Sequence, residues 1–360
     1  SVEEARSRWM TQRAWKREHL VGIQEYIDQL PISPAEAELP PFQPIPTNKS
    51  CLEASTREGG AAKALQDKIF EKLVRDVQAH RHQQLHGYAM KMKNRQERHA
   101  EQRKYINLQE KVQWHSRRPT IPDLDMVQDI YGRNIEPAMK PHPLVEMGGK
   151  VRVVTLHPAE EVTLARWYTS LWLRSLKKCV TTASMLRGLK VEMKGQGKDP
   201  LLFSADLTAA TDFIPHELAQ SVAVMICKKI GRAQDTPYVT KMFAGKVLKG
   251  HGTTVNGVHM GLGPSWIILS LLNGYAAWRA GANRKSHHIC GDDLIGFWAS
   301  DIKDKYVSVL EELGLQCNRS KSFYGRRGVF CERLVSIHED GIARMRDVGH
   351  LSAITAAKYV

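Results

Sequence analysis

The sequence predicts an α+β protein, a small sheet with helices packed on one face. Three observations carry that prediction. The second half of the 360-residue chain alternates short apolar strand patterns with apolar helical ones. Two apolar runs flank a Gly-Asp turn in HHIC-GD-DLIGFW (287–298), a hairpin signal. A composition of 42% hydrophobic and 25% charged residues suffices for two or three packed domains.

Residues 1–30 alternate basic and aromatic side chains (Arg8, Trp9, Arg13, Trp15, Lys16, Arg17) and read as a short basic helix. The proline-dense PISPAEAELPPFQPIP (31–46) follows. Without N–H donors and with φ fixed, its prolines make an extended connector. From Ala61 to about Arg103, Leu65, Ile69, Leu73 and Val77 recur every four residues, which predicts a helix. Between Arg57 and Arg118 basic residues outnumber acidic ones roughly two to one. That stretch is either an RNA-facing wall, with Arg57 as candidate RNA contact, or a solvated helix face. His80, His82 and His86 include an i,i+4 pair, but no carboxylate or cysteine joins them at ligand spacing.

Farther on, GGKVRVVTLHPAEE (148–161) opens with a glycine turn and continues as a strand. LLFSAD (201–206) is a buried-strand pattern ending on an acid. Pro215 opens an apolar helix to about Ile230, with Gly231 as its stop. The Gly-rich GHGTTVNGVHMGLG (250–263) leads into a second apolar helix near Pro264. After the hairpin, Ser300 or Asp301 caps a third helix ending at Gly314.

The net charge of +14 and pI of about 9.5 point to a polyanionic partner, nucleic acid before membrane surface. The longest uncharged apolar stretch, Trp266 to Trp278, is too short to span a bilayer, and no signal segment is expected. Six cysteines without a C-x-x-C pair disfavour a disulfide framework or zinc ribbon and fit a reducing compartment.

The carboxylates are the sharpest chemical feature. Asp206 ends one predicted strand, and Asp292–Asp293 occupy the hairpin turn. If those strands are neighbours, their acidic ends meet at one sheet edge. Carboxylates so crowded repel, and hard oxygen donors favour Mg²⁺ or Mn²⁺ over zinc. Two such ions about 3.5–4 Å apart activate an attacking hydroxyl and stabilise a leaving oxygen in phosphoryl transfer.

Other residues supply what nucleotidyl transfer needs. Asp212 lies six residues after Asp206; alternatively it is a helix-terminus acid favoured by the dipole. Ser265, Leu269 and Asn273 fall at i, i+4 and i+8 on one helix face, where Ser and Asn either bind a ribose hydroxyl or satisfy core backbone groups. Gly261 and Gly263 permit a bent loop that lets a template backbone approach. Lys150 and Arg152 share one side of a strand and could hold a triphosphate, or simply protect a strand edge. Lys321 is a candidate proton donor to departing pyrophosphate.

DLTAATD (206–212), GLGPS…LxxxN (261–273) and CGDD (290–293) stand in the order of polymerase motifs A, B and C. KVRVVT (150–155) resembles motif F, NRSKSF (318–323) motif D and FCERL (330–334) motif E. The chain resembles viral RNA-dependent RNA polymerases of the narnavirus and ourmia-like group, and TNKSCLEASTREGG (47–60) is similar to a fingers segment of that group. The resemblance covers roughly residues 47 to 340.

The resemblance implies a right hand with α-rich fingers and a palm on a small antiparallel sheet. Residues 1–46 would be a basic arm and strap, and 47–200 the fingers, with motif F near 148–155. Residues 201–340 would be the palm, with a fingers-side insertion at about 231–260, and 341–360 the start of a truncated thumb. Asp206 and Asp292 would bind two Mg²⁺ ions, replaceable by Mn²⁺, with Asp293 in support. Asp212, Asn273 and Ser265 would read the ribose, Lys150 and Arg152 would hold the triphosphate, and Lys321 would be the motif D lysine. RNA template, nascent RNA and NTPs are the implied partners. About 26 residues follow motif E, too few for a helical thumb, so a missing C-terminal region or second polypeptide is expected to supply it. The implied location is the host cytoplasm, with the mitochondrion as the alternative. The rival readings are reverse transcriptase, a two-metal ribonuclease, and a non-catalytic RNA-binding protein with a relic palm, which would not need Asp206, Asp292, Asp212, Asn273, Lys150 and Arg152 together.

Overall fold

The computed structural model describes residues 1–32, 46–89, 95–117, 122–145 and 151–346. In chain order it begins with α1 (Val2–Met10), α2 (His19–Asp28), α3 (Gly60–Ala89), α4 (Arg95–Arg117) and α5 (Leu124–Arg133). Next come β1 (Ala138–Val145), β2 (Val151–Leu156), α6 (Ala159–Leu176), α7 (Val180–Arg187), β3 (Glu192–Lys194) and β4 (Leu201–Ala205). These lead to α8 (His216–Lys229), α9 (Thr236–Met242), β5 (Val247–Leu248), β6 (Gly252–Thr253) and α10 (Pro264–Arg279). The hairpin β7 (His287–Cys290) and β8 (Asp293–Trp298) precedes α11 (Ser300–Glu312). Four short strands follow: β9 (Phe323–Gly325), β10 (Arg327–Phe330), β11 (Arg333–Ile337) and β12 (Ile342–Met345). Two compact units result, one of Ser1–Phe42, Glu136–Leu156 and Tyr168–Val360, the other of Gln43–Ile135 and His157–Trp167.

The first unit is mixed α/β with mainly antiparallel sheets. Its central sheet has the order β7-β8-β4-β9, antiparallel throughout, and a second runs β10-β11-β12-β3. A third, β2-β1-β5-β6, contains one parallel pair, β1 with β5. LLFSA and DLIGFW read as nearly continuous apolar runs because β4 and β8 are buried on both faces. One face, with Leu202, Ile295 and Phe297, packs on Val191, Met193, Phe330, Val335 and Ala343 of the second sheet region. Ser204 Oγ accepts the Val329 amide at 2.7 Å and ties the two sheets together. The opposite face meets helices: Phe203 packs edge-on against Tyr306 of α11.

Local signals explain the helices. In α8, Leu218, Ala219, Val222, Ala223, Ile226 and Cys227 form one buried stripe. Pro215 is its N-cap, and Gly231 follows at φ +75°. α10 is apolar on nearly every side and is correspondingly enclosed from Pro264 to Ala277. The cap of α11 is Ala299 rather than Ser300 or Asp301. Ser300 is the first helical residue, and no side chain caps the end.

Residues 1–32 form α1 and α2 within this unit. Ala5 and Trp9 of α1 are buried with Met139 and Leu248. α2 crosses α10 so closely that a Cβ on Gly274 would lie 2.2 Å from the Tyr26 hydroxyl. Most of the proline connector (33–45) lies outside the described residues.

In the second unit, Leu65, Ile69 and Leu73 of α3 are buried as the four-residue spacing predicts. The segment before it satisfies the amides at the start of α3: Ala61 N–H donates to Lys49 O and Ala62 N–H to Thr47 O. Lys68 bridges Glu53 and Glu160, and Tyr131 Oη donates to Glu161 at 3.1 Å. Arg57 is exposed on the short turn before α3. Among the described residues, no helix is long and apolar enough to cross a membrane.

Candidate active site

β4 and β8 are hydrogen-bonded neighbours, with Ala205 opposite Leu294, and Cys290 faces Asp293 across the hairpin. Asp206, one residue past β4, and the Asp292–Asp293 pair therefore end at the same sheet edge. Asp293 opens β8, so the loop itself is Gly291–Asp292.

Each acid is held through its backbone. The Asp206 amide donates to Ser322 Oγ at 3.1 Å, and its carbonyl accepts from the Asn318 amide at 2.7 Å. The hairpin turn is fastened to α10: the Gly291 amide donates to Ser270 Oγ at 3.1 Å, and its carbonyl accepts from Asn273 Nδ2 at 3.1 Å. Both groups of Gly291 are thus satisfied by one helix face, which fixes where Asp292 projects.

A cavity of ≈ 760 Å³ opens at this edge, and Asp206, Asp212, Asp292, Arg152, Ser265 and Lys321 line it. These six candidates come from five separate sequence stretches. Gly263 lines the cavity too, and a Cβ there would lie 2.3 Å from Thr169 Oγ1, so glycine is required for the close approach. Gly261 is not on the wall; its amide donates to Thr155 Oγ1 at 3.1 Å and ties the loop to β2. Ser265 is buried, with its hydroxyl donated to the His259 carbonyl at 3.0 Å.

Several expectations need correction or fall elsewhere. Asn273 does not reach the cavity. It is fully buried, its Nδ2 bonded to Gly291 and its Oδ1 accepting Tyr306 Oη at 2.6 Å, so the amide is occupied within the core. Its position on the face of Ser265 is right, but that face turns inward as α10 advances. Asp293 is half-buried and is not among the residues that line the cavity. Arg57 belongs to the other unit, and Lys150 lies outside the described residues.

Burial, reinforced by the charges of Asp292 and Asp206, pushes the Asp293 carboxyl up to about 6, against an opposing hydrogen bond with Cys331. The Asp292 and Asp206 carboxylates thus lie close enough to Asp293 to disfavour its ionisation. Among the described residues no three His, Cys, Asp or Glu side chains form a ready cage. A donor set of a few carboxylates facing an open cavity fits a hard divalent cation that keeps water and phosphate oxygens in its shell. Asp206 and Asp292 are the residues that would hold it.

This makes a pH prediction with a definite sign. A carboxyl raised in the fold binds its proton more tightly than in the unfolded chain, so its stabilisation is lost as pH rises from the ordinary carboxylate range through about 6. In chelator, the thermal midpoint of Asp293→Asn should gain on the parent across that window, and added Mg²⁺ should raise the parent more at pH 7.5 than at pH 5. Parallel midpoints for the two proteins at every pH would refute the assignment.

Reading one sequence missed Arg8, Trp9, Ser270, Asn318 and Ser322. The Asn and Ser types of 318–322 are turn formers, and Ser270 stands three residues before Asn273, so these left a trace. Arg8 and Trp9 did not: Trp9 Nε1 donates to Asp212 Oδ1, and Arg8 Nε donates to Oδ2, both at 2.8 Å.

Residues 186–330 match the family model described as mitovirus RNA-dependent RNA polymerase. The RNA-directed RNA polymerase of Saccharomyces 23S RNA narnavirus is 29% identical over 222 residues, 53% of this chain and 24% of that protein. That of Saccharomyces 20S RNA narnavirus is 26% identical over 258 residues, 63% of this chain and 30% of that protein. This chain therefore spans less than a third of either relative's length. The RNA-dependent RNA polymerase of a human picobirnavirus superposes with a TM-score of 0.41 and 16% identity, covering 58% of this chain and 45% of that one. Its insertion-loop deletion mutant gives a TM-score of 0.40 and 16% identity, with 62% and 52% covered. The motif order read from the sequence and the matched span Leu186–Phe330 agree: this chain is related to the viral RNA-dependent RNA polymerases of the narnavirus group.

Proposed function

We propose that this chain catalyses template-directed RNA synthesis on RNA, transferring nucleotides from NTPs to an RNA 3′-hydroxyl in replication of a positive-strand RNA virus genome. One observation carries the reading: Asp206, Asp212, Asp292, Arg152, Ser265 and Lys321 line a single cavity at the end of one antiparallel sheet. In this reading residues 201–340 are the palm and 47–200 the fingers of a right hand. The cytoplasmic setting rests on cysteine usage in the sequence.

Asp206 and Asp292 hold divalent metal, two Mg²⁺ ions in this proposal, with Asp293 maintaining the negative field behind them. Bound there, the ions lower the cost of ionising the 3′-hydroxyl and of charge building on the leaving pyrophosphate. Arg152 supplies positive charge for the triphosphate, which Lys150 would share as part of the same proposal. Lys321, exposed on the turn that pins Asp206 and part of the cavity lining, would give a proton to pyrophosphate in this reading. Asp212 and Ser265 face the ribose side. Asn273 contributes indirectly by holding the Gly291–Asp292 turn.

The test is incorporation of labelled NTPs on a short primed RNA template with Mg²⁺. Products whose sequence complements the template, with NTPs preferred over dNTPs, are expected; dNTP preference would indicate a reverse transcriptase. RNA binding without any templated product would sink the polymerase reading in favour of an RNA-holding protein.

A further inference from the structure

Both carboxylate oxygens of Asp212 are restrained, and the donors come from the far end of the sequence. Trp9 Nε1 donates to Oδ1 and Arg8 Nε to Oδ2, each at 2.8 Å, and Asn256 Nδ2 donates to the Asp212 carbonyl at 2.8 Å. The carbonyl of Trp9 in turn accepts the amides of Val255 and Asn256 at 2.9 and 3.1 Å. The same loop then touches the turn carrying Asp212: Val258 N–H donates to Thr211 O and Gly257 N–H to Ile214 O. The Trp9 indole stands edge-on to His259, 5.2 Å between centroids, and the His259 carbonyl accepts the hydroxyl of Ser265. A Cβ on Gly257 would lie 3.0 Å from the Trp9 ring, so the loop is fitted to the indole.

We propose that α1 is a specificity element of the nucleotide site, in which Trp9 and Arg8 are positioning residues that clamp Asp212 so that its carboxylate reads the ribose 2′-hydroxyl. This rests on the polymerase reading of the cavity. A carboxylate has about four acceptor positions, and the clamp uses two of them. Asp212 retains 13% of its side-chain exposure and lines the cavity together with Arg8. A hydroxyl entering the cavity can therefore donate to an acceptor whose orientation two fixed donors already determine. A site built to bond a hydroxyl rejects a ligand lacking it, because the buried polar group is then left unpaired, and that discrimination depends on the acceptor not turning away. The indole N–H and the guanidinium prevent the turn. Packing alone does not explain the pairing. The ring of Trp9 already packs with Ala5, Met139 and Leu248, so its N–H is spent on Asp212 in addition to that burial.

The experiment compares equilibrium binding of ATP and 2′-deoxyATP, each with Mg²⁺, to the full chain and to Trp9→Phe, Arg8→Gln and Arg8→Lys. Trp9→Phe keeps an aromatic ring and removes only the donor; Arg8 is partly exposed, so its variants test the clamp if the Trp9 variant folds poorly. The parent should prefer ATP, and Trp9→Phe and Arg8→Gln should each lower that preference about tenfold by weakening ATP alone. Arg8→Lys should recover part of it, and Arg17→Gln, an exposed control paired with Glu217, should match the parent. A merely structural role would lower the thermal midpoint and weaken both nucleotides equally, which overturns the proposal. So does a parent that binds both nucleotides alike. In that case RNA synthesis by the same sample shows whether the polymerase reading falls as well.

Discussion

Asp292→Asn should reduce templated NTP incorporation by about 10³-fold or more, because an acid that holds a metal supplies several kcal/mol of charge stabilisation to the reaction. Asp206→Asn should match it. Affinity for RNA should stay near the parent's, since the variants add no bulk and remove no basic group. Stability should move the opposite way from activity. Asp292 is exposed, and its charge is one reason the Asp293 carboxyl is pushed up. Neutralising it relieves repulsion, so without metal Asp292→Asn should melt no lower than the parent and gain less from added Mg²⁺. Primer extension and thermal melts with and without Mg²⁺ measure both effects. Substantial synthesis by Asp292→Asn, or a large loss of stability without metal, would remove Asp292 from the metal site.

What the sequence made legible divides along the range of the interactions. Elements whose signals are local appeared where expected: the LLFSA strand ending before Asp206, the helix between Pro215 and Gly231, and the hairpin around Gly291–Asp292. The apolar runs of β4 and β8 were legible because both strands are buried on both faces. The acids following and preceding them were expected at one sheet edge only if the strands were neighbours, and the pairing of Ala205 with Leu294 meets that condition. The cap of α11 failed by one position because Ser300 is a plausible cap by type, while backbone geometry selects Ala299. Asn273 was assigned to the right face and the wrong environment. Helical spacing gives an angle about the axis, but α10 is enclosed all round, so angle alone does not separate cavity from core. The clamp on Asp212 was invisible for a different reason. Its donors lie 203 and 204 residues away, in a segment whose basic and aromatic composition read only as a short basic helix. The sequence read Arg8 and Trp9 only as part of a basic, aromatic helix, whereas the fold uses both as donors to one carboxylate.

Gly291→Ala should be severely damaging although it removes no functional group. Gly291 occupies the first position of the two-residue hairpin loop at φ +68°, a conformation costing an L-residue about 1–2 kcal/mol. The new methyl would also lie 2.4 Å from Trp266 Nε1 and 2.8 Å from its Cδ1, contacts the indole or the turn must yield to at a further cost of about 1–3 kcal/mol. Yielding is obstructed on the other side, where Ser270 and Asn273 hold both backbone groups of Gly291. The thermal midpoint should fall on the order of 10 °C. Activity should fall further than stability suggests, by about 10²-fold, because Asp292 rides on the displaced turn and a misplacement of roughly 1 Å is costly for in-line chemistry. Adding Trp266→Ala separates the two causes. In a double-mutant cycle it should recover the portion due to the clash and leave the portion due to positive φ, with the coupling giving the clash energy directly. Additive effects of the two substitutions would mean that the indole is not what confines the turn. Parental activity in Gly291→Ala would mean that the hairpin positions its acids without this glycine.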